Sequence, residues 1–277
     1  MNADDFGLTS GVNRAIVELH RAGLLTSATL MAKAGATDEA IEIARATPTL
    51  GVGCHVVLVD GEPVLSPCDD ILYLADPVDG RFQPTPGAFL DLFYRGPKKR
   101  IQREIEAEAS AQIASLQSRG LRLTHIDTHK HTHMFPAVLR PVLRAARAAG
   151  IRGVRNPFEP AWAVRATPGA PWLRRVQVGL LRRLERSFRR IVAEEGFTTS
   201  DGAIGVLATG TLNEATITSL LRSAPPGTWE LVTHPGYNDV ALGDVRTRLR
   251  ESRQVELEAL AVLRQFPHVE RISFADL

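Results

Sequence analysis

Short β-branched and apolar runs alternate with helix-forming segments along all 277 residues of this chain. The pattern predicts strands over 27–31, 51–57, 121–129, 203–207 and 229–233, a short one around Val154, and strand pieces at 3–5 and 269–274. Helical segments separate these strands, as in a parallel sheet that is covered by helices. About eight strand–helix steps are what a (β/α) barrel of ~250 residues needs, and an open, doubly wound sheet is the competing arrangement.

Polar residues at the carboxyl ends of the predicted strands favour the barrel. In a barrel these ends converge on one mouth, whereas an open sheet would spread them along its edge. The residues are Asp4, Asp5, His55, His129, Arg155 and His234. We therefore predict an α/β protein that forms one domain over residues 1–277, folded as a TIM-like barrel.

The stretch 60–97 interrupts this alternation. It lacks regular patterning and contains six prolines, which break helices and are rare in inner strands. We predict a long loop excursion from the barrel, of the kind that often covers or shapes a binding cleft.

Charge and cysteine content exclude several function classes. The chain has 33 basic and 31 acidic residues, and its net charge of +2 gives no reason to expect nucleic acid as a partner. Cys54 and Cys68 are too few for a disulfide framework and match no zinc-finger spacing. No apolar run approaches the ~18 residues of a membrane span, and the N-terminus lacks a signal-peptide pattern. We expect a cytoplasmic protein without stable membrane insertion, and a homodimer remains open.

A basic amphipathic helix is predicted within 171–195. Arginines alternate there with apolar residues at helical spacing, between Trp172 and Ile191. The favoured interpretation is an outer barrel helix packed on the core or on a partner subunit, and docking at a lipid surface is the alternative.

The most specific local signal is a run of alternating histidine and aspartate. Every second residue from 125 to 133 is His or Asp, so on a strand all five would share one face. A buried face of imidazoles and carboxylates needs polar partners, and metal ligation supplies them. The alternative is a solvent-facing, histidine-rich edge. Only His129, with or without His131, is needed as a ligand, and the other residues would lie around it or on the turn.

Three further positions are weaker signals when each is taken alone. Asp4 and Asp5 form a carboxylate pair at a strand end, where one can bind a metal while the other takes a proton, although such pairs are often caps or surface charges. His55 follows an apolar strand and could equally be a hydrogen-bonded core histidine. His234 precedes a Pro-Gly turn that leaves its imidazole at the rim, a placement that suits a general acid.

In combination these motifs resemble the YdjC-like carbohydrate deacetylases, a family that includes the chitooligosaccharide deacetylases. The matching stretches occur in the family's order and span nearly the whole chain: Asn2-Ala3-Asp4-Asp5-Phe6-Gly7, Gly53-Cys54-His55, residues 125–133, and Thr233-His234-Pro235-Gly236. The resemblance implies a distorted (β/α) barrel that removes acetyl groups from N-acetylated sugars with the help of a divalent metal.

The resemblance also implies roles for individual residues. Asp5, His55 and His129 look like the metal ligands, and Asp4 resembles the catalytic base. His234 looks like the proton donor to the leaving amine.

Four further residues carry weaker expectations. Arg155 resembles a strand-end arginine near the catalytic carboxylate, with a surface salt bridge as the alternative. His131, Asp127 and Asp201 are expected to contact substrate. For Asp201 the match is incomplete, because family members place a histidine after this aspartate and this chain has Gly202.

One divalent cation is the expected cofactor. Imidazole ligands suit Zn, Co or Ni, while carboxylate and water also allow Mg or Mn, so Zn and Mg lead the candidates. The expected reaction is hydrolysis of the N-acetyl group of a small amino sugar or oligosaccharide, with release of acetate. The alternatives are an amidohydrolase or phosphoesterase acting on another small substrate, a deacetylase of a lipid-linked (hopanoid-type) amino sugar, and a binding module without turnover.

Overall fold

The computed structural model describes residues 1–67 and 70–277. Of the two cysteines, Cys54 is a buried free thiol, and Cys68 lies outside the described residues. The strands are β1 (Asn2–Phe6), β2 (Ser27–Leu30), β3 (Gly51–Val56), β4 (His125–Thr128), β5 (Gly153–Val154), β6 (Gly202–Ile204) and β7 (Trp229–Thr233). The α-helices are α1 (Ser10–Arg21), α2 (Thr37–Ala46), α3 (Pro86–Arg95), α4 (Lys98–Ser118), α5 (Pro136–Ala148), α6 (Ala161–Ala166), α7 (Trp172–Leu181), α8 (Glu185–Glu194), α9 (Glu214–Ser223), α10 (Val240–Asp244) and α11 (Glu251–Ala259).

The strand order confirms the predicted α/β barrel and argues against an open, doubly wound sheet. The seven strands form one parallel sheet in the order β5-β4-β3-β2-β1-β7-β6. Each strand except the pair β5 and β6 lies beside its neighbour in the chain, and β1 pairs directly with β7 through Asn2 and Val232. A circular order of this kind is that of a barrel, with one opening between β5 and β6.

Isolated backbone contacts bridge this opening in place of a regular strand pairing, so the barrel is distorted. Gly153 of β5 forms a parallel bridge with Thr198, just before β6. Further along, the Ala203 amide donates to the carbonyl of Phe158 at 3.3 Å.

Local sequence signals set several helix starts. The Thr9 hydroxyl accepts from the Val12 amide and caps α1. Thr85 caps α3 in the same way, with Pro86 in the first turn. Helix α3 lies inside the 60–97 excursion, so that segment is only partly irregular.

The predicted closing strand at 269–274 is wrong. This segment is irregular and ends in a 3-10 turn, Phe274–Asp276. Because β7 already pairs with β1, no place remains between these two strands for an eighth strand. The segment instead covers the amino-terminal end of the barrel, where the Phe274 ring stacks on His125 at 3.9 Å.

The predicted amphipathic helix forms, but it divides into two parts. Helix α8 buries Phe188, Ile191 and Val192 against the barrel. Helix α7 has no buried residue, so the expectation that this part packs on the core is wrong. Within residues 1–67 and 70–277, no helix is both long enough and apolar enough to cross a bilayer.

Candidate active site

The polar strand ends meet at one mouth, as the barrel prediction requires. Asp4 and Asp5 lie in β1, His55 in β3, and His129, Arg155 and His234 directly follow β4, β5 and β7. All but His129 are buried, and the His129 side chain is 19% exposed. His129 is therefore the one of these six side chains that solvent reaches most readily.

Asp5, His55 and His129 form a compact cluster of potential metal ligands. Asp5 Oδ1 lies 3.5 Å from His55 Nε2 and 3.3 Å from His129 Nδ1, and the two ring nitrogens are 3.2 Å apart. The three ligand atoms lie within 4.8 Å of one another. Two imidazoles and one carboxylate are a donor set typical of catalytic cation sites that keep open positions.

The backbone and a buried arginine hold Asp5 in this cluster. Asp5 has φ 65°, a left-handed conformation that is uncommon for a non-glycine residue. Its Oδ2 accepts from Arg253 Nη2 of α11 at 2.5 Å, and Oδ1 is buried without a hydrogen-bond donor. A buried carboxylate oxygen of this kind is costly unless a cation or donor satisfies it, so it fits a metal ligand.

Asp127 orients His55 from behind. His55 Nδ1 and Asp127 Oδ1 are 2.7 Å apart, which leaves Nε2 facing Asp5 and His129. Burial would lower the pKa of His55, but the charge and hydrogen bond of Asp127 outweigh it and raise that pKa to about 9. Carboxylates commonly support metal-binding histidines in this way. Because Asp127 is fully buried and both its oxygens are engaged, it is not available for the substrate contact expected from the sequence.

Arg155 is the centre of a buried ion cluster and not part of a surface salt bridge. Its Nη1 and Nη2 donate to Asp4 Oδ2 and Oδ1 at 2.8 and 2.6 Å, and Nη1 also contacts Asp127 Oδ2. Its Nε donates to Glu230 Oε1 at 2.8 Å. Burial would raise the pKa of Asp4, but the Arg155 guanidinium outweighs it, so that pKa is lowered and Asp4 stays ionised.

His234 faces Asp4 across the site. His234 Nε2 lies 3.7 Å from Asp4 Oδ2. On the other side, Glu256 Oε2 accepts from the His234 backbone amide at 2.6 Å and lies 3.9 Å from its Nδ1. Nδ1 is buried and makes no hydrogen bond in this arrangement.

The predicted five-residue face of 125–133 does not form. Strand β4 ends at Thr128, and Lys130 and His131 take left-handed conformations within a 3-10 turn, His129–Met134. His125 lies at the amino-terminal end of the barrel, opposite the mouth, where its ring stacks on Phe274. His133 bonds the Thr128 hydroxyl and the Arg155 carbonyl, so it braces the turn.

His131 and Asp201 differ in their fit to substrate contact. His131 is partly buried with Nδ1 unpaired, and burial together with Arg155 lowers its pKa to about 3, so it is neutral. Asp201 precedes β6, at the end of the barrel opposite the mouth, and its Oδ2 accepts from the Thr228 amide. The structure therefore contradicts the expected substrate contact of Asp201.

Three charged residues of the site were not predicted from the sequence. Glu230 supports Arg155, Arg253 holds Asp5, and Glu256 holds the His234 loop. A usable signal existed for Glu230, because it interrupts the apolar β7 with the same strand parity as His234. Arg253 and Glu256 lie three positions apart on α11, a spacing that is typical of any helix surface, so their sequence gave no such signal.

Comparisons with known proteins show the family to which this chain is similar. The family model for YdjC-like proteins matches residues 1–264. The chain is 34% identical to a carbohydrate deacetylase of Brevibacillus brevis over 286 residues, which cover 100% of this chain and 98% of the relative. It is 27% identical to a carbohydrate deacetylase of Thermoanaerobacter pseudethanolicus, with 94% and 89% covered. A solved structure from Enterococcus faecalis V583, provisionally named a cellobiose-phosphate cleavage protein, superposes with a TM-score of 0.71 at 25% identity, covering 95% and 92% of the two chains.

Proposed function

Because the chain belongs to the YdjC-like protein family, we propose that it is a metal-dependent carbohydrate deacetylase that hydrolyses the N-acetyl group of an amino sugar. One observation carries the proposal. The Asp5, His55 and His129 cluster lies beside a carboxylate and an imidazole, Asp4 and His234, that face each other at 3.7 Å. The names of the relatives support a carbohydrate as the substrate.

Asp5, His55 and His129 would hold one divalent cation. The unpaired Asp5 Oδ1 and the two converging ring nitrogens fit this role. When bound, such a cation polarises an amide carbonyl and makes water a stronger nucleophile near neutral pH. The donor set suits Zn or Mg, with Co, Ni and Mn as further candidates.

Asp4 would serve as the general base. Arg155 keeps its carboxylate ionised and fixes the plane of the group through two hydrogen bonds. An ionised carboxylate that cannot rotate is ready to take the proton of an attacking water from one side only. Asp127 and Glu230 still balance the charge of the Arg155 guanidinium when Asp4 becomes neutral.

His234 would protonate the departing amine. Its Nε2 lies 3.7 Å from Asp4 Oδ2, and the Glu256 carboxylate lies 3.9 Å from Nδ1 on the other side of the ring. A carboxylate behind an imidazole sets the direction of the ring. The amide bond then breaks with the proton going to nitrogen, which leaves acetate and a free amino sugar.

Arg155 favours one cation over two. A second group of potential ligands, Asp4, His55 and Asp127, lies beside the first. The Arg155 guanidinium already bonds both carboxylates of that group, so a second cation there would meet a fixed positive charge. This arrangement disfavours the two-metal phosphoesterase or amidohydrolase alternative.

The proposal is tested with metal-stripped protein and N-acetylated sugars. Binding of Zn, Co, Ni, Mn and Mg is measured by calorimetry, and acetate release from acetylglucosamine and diacetylchitobiose is followed with each metal. We expect metal-dependent acetate release that disappears in Asp4→Asn while metal binding persists. Metal binding without any acetate from a broad panel of acetylated sugars would contradict the deacetylase assignment.

A further inference from the structure

Helix α7 carries an apolar face that the protein itself leaves uncovered. The side chains of Trp172, Leu173, Val176 and Leu180 are 71%, 59%, 58% and 56% exposed. They recur at helical spacing and so lie on one side of α7. Adjacent large apolar side chains of this exposure are uncommon on a monomeric surface and indicate an interaction site.

The charge around this face has one sign. Between Trp172 and Arg190 the sequence contains seven arginines and a single acidic residue, Glu185. Glu185 is paired with Arg189 at 3.0 Å. In the described part of the chain, Arg183 and Arg186 make no ion pair, and both are exposed. Their spacing continues the α7 face into α8, so the apolar patch is followed by a patch of free guanidinium groups.

Hydrogen bonds from two arginine side chains fix α7 to neighbouring segments of the chain. Arg175 turns inward and donates to the carbonyls of Val164, Thr167 and Ala170. Arg174 Nη1 donates to the Thr209 carbonyl at 2.8 Å. Two of the seven arginines therefore fix the helix. Three more, Arg182, Arg189 and Arg190, lie near carboxylates of the same segment, which leaves Arg183 and Arg186 for a partner.

The contacts of Arg174 place α7 on the mouth side of the barrel. Thr209 lies in the loop that follows the carboxyl end of β6. The next residue in that loop, Gly210, donates its amide to Glu256 at 3.4 Å, and Glu256 also accepts from the His234 amide. A body that covers the α7 face would thus lie near the rim of the candidate active site.

We propose that the α7 face, formed by Trp172, Leu173, Val176 and Leu180 with Arg183 and Arg186, docks the protein peripherally on an anionic lipid surface. Apolar side chains and an interfacial tryptophan enter the headgroup region, while the guanidinium groups pair with lipid phosphates. A second copy of the chain fits less well, because a symmetric contact would bury Arg183 and Arg186 on a face that offers them no carboxylate. The inference rests on the surface alone and does not depend on the proposed reaction.

The test is co-sedimentation of the full-length protein with vesicles of phosphatidylcholine alone or mixed with phosphatidylglycerol. We expect binding to the anionic vesicles that weakens as salt is raised. Arg183→Glu/Arg186→Glu should weaken it by roughly tenfold or more, since each basic residue near such a surface contributes measurably. Leu173→Ser/Val176→Ser/Leu180→Ser should reduce it at every salt concentration, because the apolar part is insensitive to screening.

Matched controls separate this face from general effects. Lys98→Glu/Lys99→Glu makes the same charge change at the exposed start of α4, and Val78→Ser removes an apolar side chain that is 94% exposed. Both should bind vesicles like the parent protein. Vesicle binding that is absent in the parent, or equal in the α7 variants, would overturn the proposal. So would a stable dimer in light scattering that the α7 serine variant converts to monomer.

Discussion

Replacing Arg155 with methionine should destabilise this protein far more than loss of an exposed ion pair. The side chain is fully buried and bonds Asp4, Asp127 and Glu230 at once. Methionine keeps the aliphatic part of the side chain and its packing, but it leaves three buried carboxyls without their shared cation. The perturbation therefore isolates the electrostatic part of the cluster.

The expected size follows from the burial of the partners. Removing one partner of a buried ion pair costs about 3–5 kcal/mol in free energy of unfolding, against ~1 kcal/mol or less for an exposed pair. For a chain of this size each 1 kcal/mol lowers the melting temperature by about 2–4 °C. We expect Arg155→Met in metal-free buffer at pH 7 to melt roughly 10 °C below the parent.

The pH dependence gives the sign of the effect. In the parent, Arg155 keeps the pKa values of Asp4 and Asp127 below their usual range, so their stabilising contribution is present at neutral pH and is lost only in strong acid. In the variant, burial without the guanidinium raises both pKa values. Its stability then falls as pH rises above about 4, so the deficit against the parent should grow from pH 4 to pH 7.

Thermal melts of parent and variant at several pH values check this reasoning. Arg119→Met, which removes an exposed pair with Asp38, is the matched control and should shift the melting temperature little. A variant at Arg155 that melts with the parent at pH 7, or whose deficit is independent of pH, would refute the buried-cluster account.

Three further predictions concern the candidate metal site and its supports. His129→Ala should lose metal binding and turnover together, whereas Asp127→Asn should keep the site but weaken metal affinity by about 10–100-fold, both measurable by calorimetry. Metal affinity should rise by up to about tenfold per pH unit between pH 6 and 8, because metal-free His55 keeps a proton until the pH nears its pKa of about 9, and a flat profile would contradict this. Glu256→Gln should lower kcat by about 10–100-fold and leave metal content and KM unchanged, because Glu256 positions His234. Glu256→Asp should restore part of the lost kcat. A change in KM alone would exclude this positioning of His234.

The barrel and its mouth were predictable because they depend on local patterns. Strand–helix alternation fixes the layer arrangement, and parallel strands bring their carboxyl ends together. Asp5, His55 and His129 therefore meet as expected. The eighth strand was not predictable from its β-branched run, because whether β1 pairs with β7 depends on the closure of the whole sheet.

The wrong expectations at the site share a physical cause. The alternation at 125–133 suggests a longer strand, but two left-handed residues, Lys130 and His131, end the extended chain and redirect the later histidines. Asp201 lies before β6 and not after it, so its carboxylate is at the other end of the barrel. Supporting residues such as Arg253 come from a distant helix, and only the tertiary structure brings them beneath the ligands.

The central claim is that one divalent cation on Asp5, His55 and His129 works with Asp4 to release acetate from an amino sugar. Its most direct test is acetate release by metal-stripped protein during titration with a divalent metal, run in parallel on Asp4→Asn. The account predicts that acetate release by the parent saturates near one metal per chain, while Asp4→Asn binds the same one metal and releases at least about 100-fold less. Full acetate release without metal, or undiminished release by Asp4→Asn, would contradict it.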